Sequence, residues 1–204
     1  MAAMILPHLC GLVGRLSAED EVQTFTSDEG KFEFRHWRSL IQCPTTHDGS
    51  TGNKTAPDSC TSQGDLCGSE ATTYVCYAYP KDRFKDKLSF SGAAFFVADV
   101  AAAKTSESCA AGSPDWQVST SDTRTINGVT FKRFLISDAW TAHEKTGEIY
   151  RTFHSGKCYE LGIGQVLTNP AVFDPGTTRE FTKQDQTEVD HRLHQMLETF
   201  RFAQ

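Results

Sequence analysis

Short runs in which apolar and polar residues alternate are separated along this chain by clusters of turn residues. Residues 23–26 and 31–36 alternate on either side of Ser-Asp-Glu-Gly, which predicts a hairpin whose phenylalanines share one face. Residues 74–79 and 92–98 are more uniformly apolar, which is typical of buried strands. The pattern therefore favours a sheet whose strands are joined by tight turns.

Two of these turns define a hairpin register. Asn-Gly at 127–128 and Ser-Gly at 155–156 each lie between alternating runs, and such residues accept the positive φ of a two-residue hairpin turn. The second turn lies within YRTFHSGKCYELGI, residues 150–163. Opposed residues in such a hairpin have position numbers with a constant sum. The predicted pairs are His154–Lys157, Phe153–Cys158, Thr152–Tyr159, Arg151–Glu160 and Tyr150–Leu161.

Helical patterns are confined to two segments. An alanine run suggests a short helix over residues 99–106. Near the C-terminus, Thr182 and Asp185 have capping-box spacing. The apolar stripe of an amphipathic helix follows, formed by Val189, Leu193, Met196, Leu197 and Phe200. Asp190, His191 and His194 are expected to lie opposite that stripe and to face water.

The order of these elements resembles the PsbP, Mog1 and LpqN-like group of small proteins. TFTSDEGKFEF, the central strands and the closing ETFRF carry the resemblance, which covers most of residues 22–202. It implies an α+β fold, with an antiparallel sheet packed between helices as an α/β/α sandwich. It also implies a non-catalytic binding or accessory role with a protein partner that the sequence does not identify.

A second resemblance points to an enzyme. FEFRHW, YRTFHSGKCYELGI and FDPGTTREFTKQD are similar to segments of uncharacterised exported proteins of Acidobacteria. This likeness is associated with metal-assisted hydrolysis of acyl-homoserine lactones, but it supplies no motif that transfers residue by residue.

The predicted domain organisation is simple. Residues 1–21 are interpreted as a leader or N-terminal extension, and residues 22–204 as one α+β domain. Residues 43–73 are polar and too long for a plain connection, so they are interpreted as a loop insertion. Asn53 in that insertion begins a formal glycosylation motif.

The cysteines favour export. Apart from Cys10, an even set of six remains, which suggests disulfides formed in an oxidising compartment: Cys43, Cys60, Cys67, Cys76, Cys109 and Cys158. No pair has the Cys-x-x-Cys spacing of a zinc or redox site. Six cysteines allow fifteen pairings, among which Cys60–Cys67 is preferred because the two are close in sequence.

Charge and hydropathy exclude some partners. The formal net charge of −6 disfavours nucleic acid, because a phosphate backbone would be bound against the protein's own field. No apolar run approaches the ~20 residues that a membrane-spanning helix needs.

Candidate chemistry concentrates around the second hairpin. Gly-x-Ser-x-Gly and His-Glu-x-x-His are both absent, which excludes the usual serine-hydrolase and zinc-helix signatures. Arg151 and Glu160 meet across the predicted ladder, either as a pair that sets the register or as part of a catalytic group with His154. In the catalytic interpretation, His154 or Glu160 is the general base that activates water.

A calcium-type site is also possible in the acidic loops, because that cation draws six to eight oxygens from carboxylates, carbonyls and water. Asp138 and Glu144, with Glu148 nearby, form one candidate segment, and the segment from Asp174 to Glu180 forms the other. The cation would polarise a lactone or ester carbonyl. The sequence thus leaves two functions open, a lactone or ester hydrolase with a small-molecule substrate, and a non-catalytic exported module.

Overall fold

Ten strands and two α-helices make up the described part of the chain. The structure is a computed structural model that describes residues 21–45, 58–60, 66–67, 72–112 and 117–203. The strands are β1 (Val22–Ser27), β2 (Phe32–Trp37), β3 (Ile41–Cys43), β4 (Thr72–Ala78), β5 (Phe90–Asp99), β6 (Val118–Ile126), β7 (Val129–Trp140), β8 (His143–His154), β9 (Lys157–Thr168) and β10 (Arg201–Phe202). The helices are α1 (Ser106–Ala110) and α2 (Lys183–Thr199).

All the strand pairs are antiparallel. Seven strands form the main sheet in the order β3-β4-β5-β9-β8-β7-β6, and β1-β2-β10 form a smaller one. The predicted antiparallel α+β class is confirmed. None of the helices in these ranges combines the length and apolarity that crossing a bilayer requires.

The two faces of the main sheet are covered differently. The face that packs against β2 and α2, here called the helix face, contributes buried residues such as Phe95, Tyr150 and Leu161 to an aromatic core. The opposite face, here called the disulfide face, carries Cys76, Phe96 and the other members of a second cluster. The described residues therefore form an unequal sandwich, because only the helix face is covered by a long helix.

Glycines permit the close packing of the disulfide face. A Cβ atom on Gly162 would lie 2.0 Å from Cε1 of Phe96, so the Phe96 ring occupies the space that any side chain there would need. The absence of a side chain at Gly162 is therefore a packing requirement.

The second hairpin has the predicted register throughout. Arg151 opposes Glu160 and Phe153 opposes Cys158, as the constant-sum rule requires. Ser155 and Gly156 have φ values of 50° and 82°, which match the two positive angles of the turn.

The C-terminal helix is also confirmed, and the helix predicted over residues 99–106 is wrong. Thr182 caps α2 and forms a capping box with Asp185. Residues Val189, Leu193, Met196, Leu197 and Phe200 are all buried. α1 begins only at Ser106, because the Thr105 side chain accepts from the backbone N–H of Ser108 and fixes the helix start there.

The six cysteines form three disulfides, but the preferred pair was wrong. The bonds are Cys43–Cys60, Cys67–Cys76 and Cys109–Cys158. Cys43 and Cys76 lie opposite each other on β3 and β4, and each bonds to a cysteine of the insertion. Closeness in sequence suggests Cys60–Cys67, but each of these two cysteines is bonded to a strand cysteine instead.

The insertion is attached to the sheet by two of these disulfides. Leu66 is buried and packs in the disulfide-face cluster. The remaining predictions for residues 1–20, for Cys10 and for Asn53 lie outside the described residues.

Candidate ligand cleft

The three predicted catalytic residues lie on two different sheet faces. Arg151 and Glu160 are on the disulfide face, where Nε and Nη2 of Arg151 lie 2.8 and 2.7 Å from Oε2 of Glu160. Their side chains are only 4% and 6% exposed. His154 is on the helix face, where its ring stacks on Phe202 with centroids 3.8 Å apart. The fold therefore joins the first two and separates the third.

Nearby apolar packing encloses this end of the hairpin. Cys158, two residues from Glu160, is bonded to Cys109 of α1. The cluster around that bond includes Val100 and Ala103, with Phe153 packed against it. Because two hydrogen-bonded charges are held in a dry environment, the arrangement has the character of a structural ion pair.

The four predicted calcium ligands are also divided. Oδ1 of Asp138 accepts hydrogen bonds from Nε2 of Gln117 at 3.3 Å and from the Ala139 amide at 2.8 Å. The backbone oxygen of Asp174 accepts from Thr177 in a turn. Glu144 and Glu180, which belong to the two alternative segments, line a common cleft.

Within the described ranges, one group of three acidic, histidine or cysteine residues has ligand atoms within 4.8 Å of one another, and it consists of the disulfide cysteines Cys43, Cys67 and Cys76. These sulfurs are already bonded in disulfides and are not thiolate ligands.

The cleft that contains Glu144 and Glu180 has a volume of about 500 Å³ and lies at the β7–β8 turn. Ala142 has a φ of 62°, so the chain reverses tightly between Trp140 and His143. The amide of Asn169, just beyond β9, donates to the Ala142 carbonyl at 2.7 Å and holds the turn against that strand's end. The lining residues are Ser89, Ala139, Trp140, Ala142, His143, Glu144, Leu167, Thr168, Asn169, Pro170, Glu180 and Phe181.

Aromatic side chains line part of the cleft, with Trp140 packed against the disulfide-face cluster and Phe181 against the helix-face core. The rings of Trp140 and His143 have centroids 5.6 Å apart. Phe181 packs on Phe84 and Phe90, with centroids 5.0 and 4.9 Å away. The aromatic core behind Phe181 therefore positions this part of the wall.

A hydrogen-bonded chain orders the polar floor. Nδ1 of His143 lies 3.0 Å from Oγ1 of Thr168, which in turn lies 2.5 Å from Oγ of Ser91. The Thr168 amide donates to the Ser89 carbonyl at 2.8 Å. Since Thr168 is buried, these contacts fix the orientation of the His143 ring.

The cleft is acidic. Glu144 and Glu180 are exposed, and none of the lining residues is lysine or arginine. Two carboxylates beside aromatic rings are complementary to a cation, because a carboxylate attracts it directly and a ring attracts it through its negative face.

A second polar cluster lies between β8 and α2. Oε1 of Glu148 is 3.4 Å from Nε2 of His194, and its Oε2 accepts from the Tyr150 hydroxyl and lies 3.5 Å from Nη1 of Arg133. The prediction that His194 faces water is wrong, since its side chain is 27% exposed and is directed at the sheet. His191 is exposed as predicted, whereas Asp190 is exposed as a residue but its carboxylate accepts a hydrogen bond from the Gln165 amide of β9.

The protonation of this cluster follows from its contacts. Burial alone would raise the pKa of Glu148, but the hydrogen bonds from His194 and Tyr150 outweigh that effect and hold the pKa at about 2. The hydrogen bond to Glu148 raises the pKa of His194 against the opposing effect of burial. Burial raises the pKa of Asp190, although the Gln165 amide donates to it. Glu148 and His194 therefore form a charged pair at mildly acidic pH.

The sequence shows the polar residues of this cluster but does not show that they meet. The helical period places His194 one residue from Leu193 of the apolar stripe, at its border, but nothing in α2 indicates that a glutamate of β8 lies opposite. The cleft was equally hidden, since its walls come from separate segments and its turn lacks an Asn-Gly signal.

Comparison with known proteins gives only a distant structural likeness. The chain matches no family model, and no curated protein matches it. The Ran-binding protein Mog1p of Saccharomyces cerevisiae is 12% identical, with 89% of this chain and 95% of that chain covered and a TM-score of 0.42. A Mog1 point mutant is also 12% identical, with 90% and 96% covered and a TM-score of 0.40. Both belong to the group that the element order resembles, and likeness at this level carries no argument about function.

Proposed function

We propose that the protein is a non-catalytic binding module whose cleft receives a ligand with a positive charge and an apolar body. The observation that carries this proposal is the composition of the cleft. Trp140, Leu167 and Phe181 provide apolar surface, and Glu144 and Glu180 provide negative charge. A volume of about 500 Å³ lies within the range usual for small-molecule sites.

The chemistry of the ligand follows from the same walls. A protonated amine beside Glu144 and Glu180 would be attracted by both carboxylates, and its apolar part would cover the Trp140 ring. An anion would meet two like charges and no basic lining residue. The cleft therefore suits an organic amine or the side chain of a basic peptide better than an anionic metabolite.

Hydrolysis of a lactone or ester is the weaker candidate. Glu160 is almost fully enclosed, and its Oε2 already accepts a hydrogen bond from Nε of Arg151 and lies 2.7 Å from Nη2, which leaves it poorly placed to activate water. His154 stacks on Phe202 on the other face of the sheet. These positions support a structural role for the three residues.

The proposal also covers the location of the protein and calcium as a ligand. The three disulfides support an oxidising, exported location, because such bonds persist mainly outside the reducing cytosol. Calcium remains a candidate ligand through Glu144 and Glu180, and it can be titrated as the chloride salt alongside the organic probes.

The test uses three probes of one shape, namely phenethylamine, phenethyl alcohol and phenylacetate. Binding is followed by NMR through the indole N–H of Trp140, assigned with the Trp140→Phe variant. We expect the amine to bind most tightly and the acid most weakly. Glu144→Gln and Glu180→Gln should each weaken amine binding by roughly fivefold, which corresponds to about 1 kcal/mol.

Asp174→Asn serves as the matched control, since it removes a carboxylate from the same loop region without altering the cleft lining. Equal binding of the three probes, or equal loss in the Asp174 control, would contradict the proposal. The wild type should also be inactive towards chromogenic esters and acyl-homoserine lactones. Turnover that is abolished by Glu160→Gln would restore the hydrolase hypothesis.

A further inference from the structure

The outer edge of β6 is a row of backbone groups without partners among the described residues. β6 is the last strand of the seven-stranded sheet. Ile126 and Val129 flank a two-residue turn, so Ile126, Arg124 and Asp122 bond towards β7. Alternation then directs the N–H and C=O groups of Ser121, Thr123 and Thr125 outwards. No residue in the described ranges bonds to these outward groups.

The edge also lacks the usual protection against pairing. Between Val118 and Ile126 the strand contains no lysine and no proline, and its only irregularity in register lies near the start, between Val118 and Thr120. Ser121, Thr123 and Thr125 are all exposed. The part of β6 from Thr120 onwards is therefore free of bulges and is able to accept another strand.

The charges on β6 indicate which strand fits. Asp122 and Arg124 precede and follow Thr123 in β6, and their side chains both lie on the helix face. If a second copy of β6 pairs antiparallel about a two-fold axis at Thr123, position numbers of opposed residues sum to twice 123. Asp122 then faces Arg124 of the second copy, and Arg124 faces its Asp122. We propose that the protein forms a symmetric homodimer through this β6 edge, with Thr123 on the two-fold axis.

The alternation of inward and outward backbone groups along β6 agrees with that register. Thr123 with Thr123, and Ser121 with Thr125 in both directions, become the hydrogen-bonded pairs, and these are the residues whose backbone groups point outwards. Asp122 and Arg124 fall at the intervening pairs, where side chains approach more closely. A shift of one residue would break both the backbone bonding and the charge pairing.

Asp122 and Arg124 can each form an ion pair across the β6 edge in addition to their present contacts. Oδ1 and Oδ2 of Asp122 accept from Nε and Nη2 of Arg133 at 2.8 and 2.5 Å, and its side chain remains 46% exposed. A carboxylate has about four lone-pair sites, so it can also accept from a second arginine. Nη2 of Arg124 lies 3.3 Å from Glu198, and the Arg124 side chain is 35% exposed. Both groups can thus reach across the edge without leaving their present partners.

The other side of the strand is neutral and self-compatible. Ser121, Thr123 and Thr125 would oppose only one another, and hydroxyl-bearing pairs of this kind favour strand pairing. The resulting sheet would run continuously through both copies. The inference does not depend on the ligand cleft, which lies at the opposite end of β7 from the Asn127–Gly128 turn.

The test uses the symmetry of the axis. Thr123→Lys places two lysines opposite each other, and Thr123→Glu places two glutamates there, so each variant alone should dimerise more weakly than the wild type. A mixture of the two variants should dimerise, because lysine then faces glutamate. Sedimentation equilibrium of the wild type, over about 10 µM to about 1 mM, should show a monomer–dimer equilibrium. Each single variant should raise the dimer Kd at least roughly tenfold.

Ser137→Lys is the control, because it adds the same charge at an exposed position on the neighbouring strand β7. It should dimerise like the wild type. A wild type that stays monomeric across the range overturns the proposal. Dimerisation of Thr123→Lys alone with the wild-type Kd overturns the register. Failure of the mixture to restore the dimer, when both variants give wild-type circular dichroism, also overturns it.

Discussion

β8 contributes to ion pairs on both of its faces, and two of these pairs are built in different ways. Arg151 and Glu160 meet on the disulfide face because the Ser155–Gly156 turn fixes the register of β8 and β9. Glu148 and His194 meet on the helix face because α2 packs across the sheet. The first pair follows from local pairing and is almost dry, whereas the second depends on tertiary packing and retains some contact with water.

Because their surroundings differ, the two ion pairs should contribute differently to the free energy of unfolding. Removing one member of a buried pair leaves an uncompensated charge, while a partly exposed pair can recover hydration. The disulfide-face pair should therefore be intolerant of single substitutions. The helix-face pair should cost less to disrupt and should respond to pH.

The largest expected effect is that of Arg151→Met. The variant removes the guanidinium that lies 2.7 Å from the buried Glu160 carboxylate, so we expect a loss of about 4 kcal/mol in the free energy of unfolding, measured by urea denaturation. The double variant Arg151→Met with Glu160→Leu should recover much of this loss, because both charges of the pair are then removed together. If the double loss equals the sum of the two single losses, the pair is not coupled and the comparison fails.

Removal of the Cys109–Cys158 disulfide should have the next largest effect. This bond closes 49 residues of chain and attaches α1 beside the hairpin, so the Cys109→Ala and Cys158→Ala double variant should lose roughly 2–4 kcal/mol. The matched control removes Cys67–Cys76, whose separation is only 9 residues. In the loop-entropy model the control loses about 1.5 kcal/mol less. Equal losses in the free energy of unfolding would mean that these disulfides do not stabilise the protein mainly by restricting the unfolded chain.

The smallest expected effect is that of His194→Gln, and its signature is a pH dependence. The raised pKa of His194 contributes stability that is fully present below its ordinary value of 6.5 and is lost as pH rises through the folded-state pKa. The depressed pKa of Glu148 contributes stability that is present above the ordinary 4.5 and is lost as pH falls towards about 2. Both contributions are complete between these two ordinary values.

In that window His194→Gln should lower the free energy of unfolding by roughly 1 kcal/mol, and the difference from wild type should shrink as pH rises. Urea denaturation of the variant and the wild type at a series of pH values measures this difference in the free energy of unfolding. His191→Gln, on the exposed side of the same helix, is the control and should leave the profile unchanged. An identical pH profile in the His194 variant would show that Arg133, Tyr150 and Glu148 hold the cluster without the histidine.

Much of the fold could be predicted because its signals are local. The Ser155–Gly156 turn determines which residues of β8 and β9 face each other, since strand pairing has a period of two. The capping box at Thr182 and the stripe that includes Leu193 determine where α2 begins and which side it buries. The presence of disulfides could be predicted because, once Cys10 is set aside, an even set of six cysteines remains.

The tertiary structure decided what depends on contacts between distant segments. It bonded Cys43 of β3 to Cys60 of the insertion, and it brought His194 against Glu148. It also placed Glu144 and Glu180 in one cleft, where the sequence offered them as members of alternative sites. A local turn or cap constrains only its own neighbours, whereas these contacts arise when sheet and helix bury their apolar faces together, and no short stretch of sequence encodes that geometry.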